Sequence, residues 1–139
     1  MNGKRPGMAG EVLVDTSVWI AFFREKNLSL AERIASLLKS GRAVYTGIIA
    51  LELINGAKGR KELEVLTDAF DAMRCIPVRE TTFLSAGTLG YGAARKGNTL
   101  GAVDLLIAQI AIENGLLLMT YDEHFSVIAR HSPLTLFGR

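Results

Sequence analysis

The amino-acid sequence predicts an α/β domain in three layers, with a central parallel sheet of four to five strands and helices on both faces. Three observations carry that prediction. Short apolar runs alternate with longer segments of helical periodicity, the order that builds a strand, a crossover helix and a parallel strand. Leu116, Leu117, Leu118 and Met119 are apolar without interruption, as a strand buried on both faces must be. Hydrophobic residues make up 49% and charged residues 22% of a 139-residue chain, which supplies one core and excludes a disordered tail. The length suits one domain rather than two.

Residues 1–10 contain three glycines, one proline and two cations without an apolar stretch, so a flexible leader is expected there and a secretory signal is not. Val12, Leu13 and Val14 form the first strand candidate. Leu30, Ile34, Leu37 and Leu38 follow helical spacing, and Gly41 stands where a left-handed cap is wanted. Residues 43–45 read as a second strand, after which Thr46 is placed to cap a helix through Ile48, Ile49 and Leu53. Leu63, Leu66, Phe70 and Met73 mark another helix, followed by a strand at Cys75 and Ile76. Thr81 or Thr82 can cap a helix through Phe83, Ala86, Leu89 and Ala93 that ends near Gly97. Its Gly87, Gly90 and Gly92 each cost about 1 kcal/mol relative to Ala, which points to close packing against the sheet or a second subunit, or to a broken helix. Residues 102–114 form a helix apolar on most sides and hence buried, capped by Gly115. Residues 116–119 then read as a central strand, and residues 133–137 as a last, peripheral one.

Lys4 and Arg5 supply the whole net charge of +2, because the remaining 14 basic and 14 acidic side chains balance. The calculated basicity alone therefore does not argue for nucleic acid. No apolar run approaches the roughly 18 residues of a membrane span. The single cysteine, Cys75, cannot make an internal disulfide and is expected to be an inert buried thiol, so a reducing cytoplasm fits best.

Four carboxylates lie where apolar structure gives no reason for them. Asp15 follows the first strand and Asp122 follows the strand ending near Thr120, both at carboxyl ends, where open parallel sheets bind ligands. Glu52 lies in the apolar helix after the second strand, where a buried Glu is rare unless paired, and Asp104 lies near the start of the helix at 102–114. A lone Asp after a strand is ordinarily a helix cap, so the set matters more than any member. Four converging acids repel one another unless cations or solvent offset their charge. Hard oxygen donors without Cys or paired His favour Mg²⁺ or Mn²⁺. Two such ions about 4 Å apart serve phosphodiester hydrolysis without a protein nucleophile.

Asp15-Thr16-Ser17-Val18 after a first strand, Glu52-Leu53 after the second, Asp104 before Ile107-Ala108, and Thr120-Tyr121-Asp122-Glu123-His124-Phe125 together resemble the signature of PIN domains, most of all the VapC-type toxins. The resemblance runs from about residue 11 to the end. It implies a single PIN-like nuclease domain over residues 11–139, a Mg²⁺-dependent endoribonuclease, with Mn²⁺ as substitute, that is dimeric and held inactive by a VapB-type antitoxin. Its substrate would be RNA, transfer RNA being one candidate. By the same resemblance Asp15 and Asp104 are the main metal ligands, Glu52 and Asp122 complete the catalytic pocket, and Thr16 or Ser17 orients water or a ligand. Many relatives carry Asp where this chain has His124, which could approach RNA phosphate but is expected to be an exposed loop residue without function.

Trp19, Phe22 and Phe23, which could stack bases in a binding groove, are expected instead to pack in the core or a dimer contact. Lys58, Arg60 and Lys61, and likewise Arg95 and Lys96, either contact phosphate or are solvated helix ends. A receiver domain or aspartyl phosphatase is a poorer fit, because Arg79-Glu80 follows the third strand where a receiver needs Asp, and position 17 is Ser where a phosphatase needs Asp. A PIN-like module that binds RNA or a partner without cutting is the nearer alternative.

Overall fold

A computed structural model describes residues 10–138. Apart from Gly10, the leader expected over residues 1–10 lies outside them. The order is β1 (Val12–Val14), α1 (Thr16–Arg24), α2 (Leu28–Lys39), β2 (Ala43–Thr46), α3 (Gly47–Asn55), α4 (Arg60–Ala72), β3 (Arg74–Ile76), α5 (Glu80–Arg95), α6 (Ala102–Glu113), β4 (Leu117–Met119), α7 (His124–Arg130) and β5 (Thr135–Leu136). The strands form one parallel sheet in the order β3-β2-β1-β4-β5. The chain therefore steps outward from β1 to β3, crosses back to β4, and continues to β5. The switch in direction falls between β1 and β4. Right-handed crossovers place α1 to α4 on one face and α5 to α7 on the other. Helix contacts divide the same way, α1 with α3 and α3 with α4, α5 with α6 and α6 with α7.

The strands are short and the core is built on them: Val12, Leu13, Val14 and Leu118 are wholly buried, and α6 contributes Ile107, Ala108, Ile110 and Ala111. The middle strand is β1; β4, expected to be central, is its neighbour. Gly41, Gly97 and Gly115 take positive φ at the ends of α2, α5 and α6, as expected of caps. Thr46 stands before α3 without a side-chain capping bond, and its hydroxyl instead reaches the Ile76 carbonyl across the sheet. Neither Thr81 nor Thr82 is the residue before α5. The helix starts at Glu80, and the Thr82 hydroxyl accepts from the backbone N–H of Arg79.

Helix α5 is unbroken despite its glycines, and its stripe of small residues, Ala86, Gly90 and Ala93, packs inside the protomer. Ala86 and Ala93 are buried, and a Cβ on Gly90 would stand 2.5 Å from Leu105 Cδ1 of α6. Trp19 is likewise consumed by the core, edge-on to Phe22 and Phe70. Neither feature leaves surface for a second subunit. Cys75 is exposed, not buried, because β3 is an edge strand with no neighbour beyond it. Glu11, which the sequence reading passed over, is buried and paired with Arg74.

Candidate functional site

Three of the four acids meet at the carboxyl ends of the strands flanking the switch point. Asp15 caps α1, and three donors converge on its Oδ2: the Ser17 backbone N–H at 3.3 Å, the Ser17 hydroxyl at 2.7 Å and the Thr120 hydroxyl at 2.9 Å. Asp15 is thus a helix cap, the structural role its position suggests, and it is 5% exposed. Its backbone N–H donates to the Met119 carbonyl, which holds the end of β1 to the end of β4. Ser17 Oγ also accepts from the Tyr121 N–H at 3.0 Å. That hydroxyl thereby ties the residue before α1 to the loop after β4.

Asp104 lies in the first turn of α6, which runs antiparallel to the strands and so begins at the same edge of the sheet. A carboxylate is favoured there by the helix dipole. Asp122 sits in the loop after β4, its backbone N–H bonded to Thr120 Oγ1 at 2.9 Å. His124 opens α7 and is a helix residue, not a loop residue. Its side chain is 69% exposed, yet Nδ1 stands 3.3 Å from Asp104 Oδ2 and 3.4 Å from Asp122 Oδ1. Donor atoms of Asp104, Asp122 and His124 all fall within 4.8 Å of one another. Partial burial pushes the Asp104 carboxyl above its usual range. The Asp122 anion acts in the same direction, the His124 hydrogen bond opposes it, and Asp15 adds a smaller upward push.

Glu52 is the outlying member. It is exposed on α3, not buried as expected, and its partner is the Thr16 hydroxyl, which donates to Oε1 at 2.8 Å. It lines a cleft of about 270 Å³ with Ile20, Phe23, Lys58 and Leu66. Arg24, in the same cleft, is paired with Glu62. Arg95 lies over the ring of Tyr91 at the end of α5. Among the described residues, no Lys or Arg forms an ion pair with any of the four acids.

Sequence reading missed Thr120 and undervalued His124. A threonine closing an apolar strand two residues before an Asp was the available signal for the first, since Ser and Thr hydroxyls cap the N–H two residues on. For the second the signal was its place two residues after Asp122, where many relatives carry Asp; its other neighbour, Asp104, lies twenty residues away.

The family model described as PIN domain matches residues 12–131. The VapC ribonuclease Mb1587 of Mycobacterium bovis and ribonuclease VapC11 of Mycobacterium tuberculosis are each 31% identical over 127 residues, covering 88% of this chain and 95% of theirs. Among solved structures, VapBC-1 from nontypeable Haemophilus influenzae aligns with a TM-score of 0.73 at 25% identity, covering 90% of this chain and 95% of that one. DNA-bound VapBC from Salmonella typhimurium aligns with a TM-score of 0.74 at 22% identity, over 91% and 96%.

Proposed function

The chain belongs to the PIN domain family, in its VapC group, and from that premise we propose that it is a Mg²⁺-dependent endoribonuclease, the toxin of a toxin-antitoxin pair. One observation carries the reading: Asp15, Asp104 and Asp122 crowd the switch point of the sheet with no basic ion-pair partner other than His124 among the described residues. The donor chemistry fits a divalent ion. Carboxylate oxygens are the ligands Mg²⁺ and Mn²⁺ take, and the like-charge pressure on Asp104 is what a cation relieves.

The resemblance made Asp15 and Asp104 the main ligands; here Asp104 and Asp122 would hold the ion, because their oxygens lie together while three donors occupy Asp15 Oδ2, with Asp15 beside them and Glu52 completing the acidic set from α3. When bound, such an ion neutralises phosphate oxygens and makes an attacking water more acidic. The chain's own contribution is position. Thr120 and Ser17 fix Asp15, the first turn of α6 fixes Asp104, and Thr16 holds Glu52. Lys58, in the cleft that Glu52 lines, offers charge to the RNA backbone.

A VapB-type antitoxin is the expected partner, since both solved structures named above are of VapBC, and a basic side chain from it would oppose the acids. A homodimer is supported by surface other than Trp19 and the small-residue stripe. Phe83, at 57% exposure, and Leu84, at 68%, stand bare on α5, next to an apolar hollow of about 250 Å³ shared with Val103 and Leu106 of α6. RNA as substrate and a lone, exposed Cys75 accord with the cytoplasm. No helix among the described residues is long and apolar enough to cross a membrane.

The test is cleavage of labelled RNA by purified protein with Mg²⁺ or Mn²⁺, with and without EDTA, against Asp104→Asn prepared identically. Cleavage that EDTA abolishes and Asp104→Asn lacks supports the reading. Cleavage that persists in both refutes it, and RNA binding without cleavage would favour the non-cutting module.

A further inference from the structure

We infer that His124 Nδ1 is a third metal donor beside Asp104 and Asp122, so that the centre takes Mn²⁺ in preference to Mg²⁺. The inference rests on the metal-site reading above and assigns to this chain a nitrogen donor that an all-carboxylate pocket lacks. His124 is anchored in the same turn as Asp122, because its backbone N–H donates to Asp122 Oδ1 at 2.9 Å. Its main chain is therefore fixed beside Asp122, and from there the ring reaches Asp104 and Asp122 through Nδ1. The spacing from Nδ1 to each carboxylate is already that of a coordination shell. With bonds of about 2.1 Å, neighbouring donors stand about 3.0 Å apart in octahedral and about 3.4 Å apart in tetrahedral geometry. Nδ1 lies 3.3 and 3.4 Å from the two carboxylate oxygens.

Ligation through Nδ1 requires the lone pair there and the proton on Nε2, which the exposed ring leaves free to meet solvent. Imidazole nitrogen suits first-row transition ions, whereas Mg²⁺ prefers oxygen and retains its waters. The rival account is a protonated imidazolium that merely balances Asp104 and Asp122 until a cation displaces it. The two accounts differ in what nitrogen does once the ion is present.

Mn²⁺ alone is the probe. Electron spin-echo spectroscopy of the Mn²⁺-loaded, full-length protein is expected to show ¹⁴N modulation from a directly bound imidazole, absent in His124→Asp. The chain has only one other histidine, His131, whose Nε2 is 2.9 Å from Asn98 Nδ2, so loss of the signal in His124→Asp identifies the donor. Calorimetric titration is expected to show the preference for Mn²⁺ over Mg²⁺ falling about tenfold or more in the variant. Mn²⁺ binding without nitrogen modulation, or with an unchanged preference, overturns the assignment of His124 and leaves a carboxylate centre standing. Failure of folded wild-type protein, verified by circular dichroism, to bind Mn²⁺ at all overturns both.

Discussion

The Thr120 hydroxyl donates to Asp15 Oδ2 at 2.9 Å and is itself the acceptor of the Asp122 backbone N–H. One side chain thus sets the acid after β1 relative to the acid after β4, across the point where the sheet changes direction. Neither Asp could be positioned by its own strand alone, because the strands end before them.

Removing that hydroxyl should disturb both acids. Thr120 is 6% exposed, and Thr120→Val leaves Asp15 short of a donor and the Asp122 N–H short of an acceptor. A loss of about 1–3 kcal/mol is expected in urea unfolding, with RNA cleavage reduced. Thr120→Ser keeps the hydroxyl and should retain most of both. Equal loss in the two variants would show that the methyl group, not the hydrogen bonds, is what matters.

Asp104→Asn should abolish cleavage without weakening the metal-free fold. The Asp104 carboxyl is raised above its unfolded value, so across that range the native state binds more protons than the unfolded one, and its contribution to stability falls as pH rises. Above the folded pKa the ionised group is a penalty that Asn removes. In EDTA, the variant is expected to melt at the same or a higher temperature than wild type at neutral pH, the gap closing as pH falls through the carboxylate range. Added Mg²⁺ should stabilise the variant less. A large loss of metal-free stability would instead make Asp104 a structural anchor.

Leu118→Ala is the contrasting case. Leu118 is wholly buried in β4, between β1 and β5, and truncation should cost about 2–5 kcal/mol in lost burial and cavity, with or without metal. Chemical denaturation at fixed Mg²⁺ and in EDTA gives the comparison.

The glycines of α5 should separate by environment. An alanine methyl at Gly92 meets nothing within 4 Å, so Gly92→Ala should gain up to about 1 kcal/mol from helix propensity. At Gly90 the same methyl meets the buried Leu105 side chain at 2.5 Å, and the displacement should cancel or outweigh that gain. If Gly90→Ala stabilises as much as Gly92→Ala, the contact between α5 and α6 is looser than described.

If copies pair through α5 and α6, Phe83→Glu should halve the mass seen by light scattering at micromolar concentration while leaving the fold intact by circular dichroism. A wild-type mass equal to one chain would remove the dimer from the proposal.

The order of the five strands and of helices α2 to α6, the glycine caps at 41 and 115, and the placing of Asp15 and Asp122 at carboxyl ends were legible in the sequence, whereas α7 was not. Each depends on short-range pattern: periodicity, a residue that tolerates positive φ, an acid next to an apolar run. What covers each surface was not legible. Helix α3 reads as apolar throughout, yet Leu51 is 63% exposed and Glu52 beside it is open, while Trp19 is sealed within the protomer. Cys75 reads as core and lies on an edge. Periodicity says which side of an element is apolar, and only the packing of distant elements says whether anything lies over it. The same limit hid Thr120 and His124, whose partners Asp15 and Asp104 are 105 and 20 residues away and are brought near by the crossing from β3 to β4.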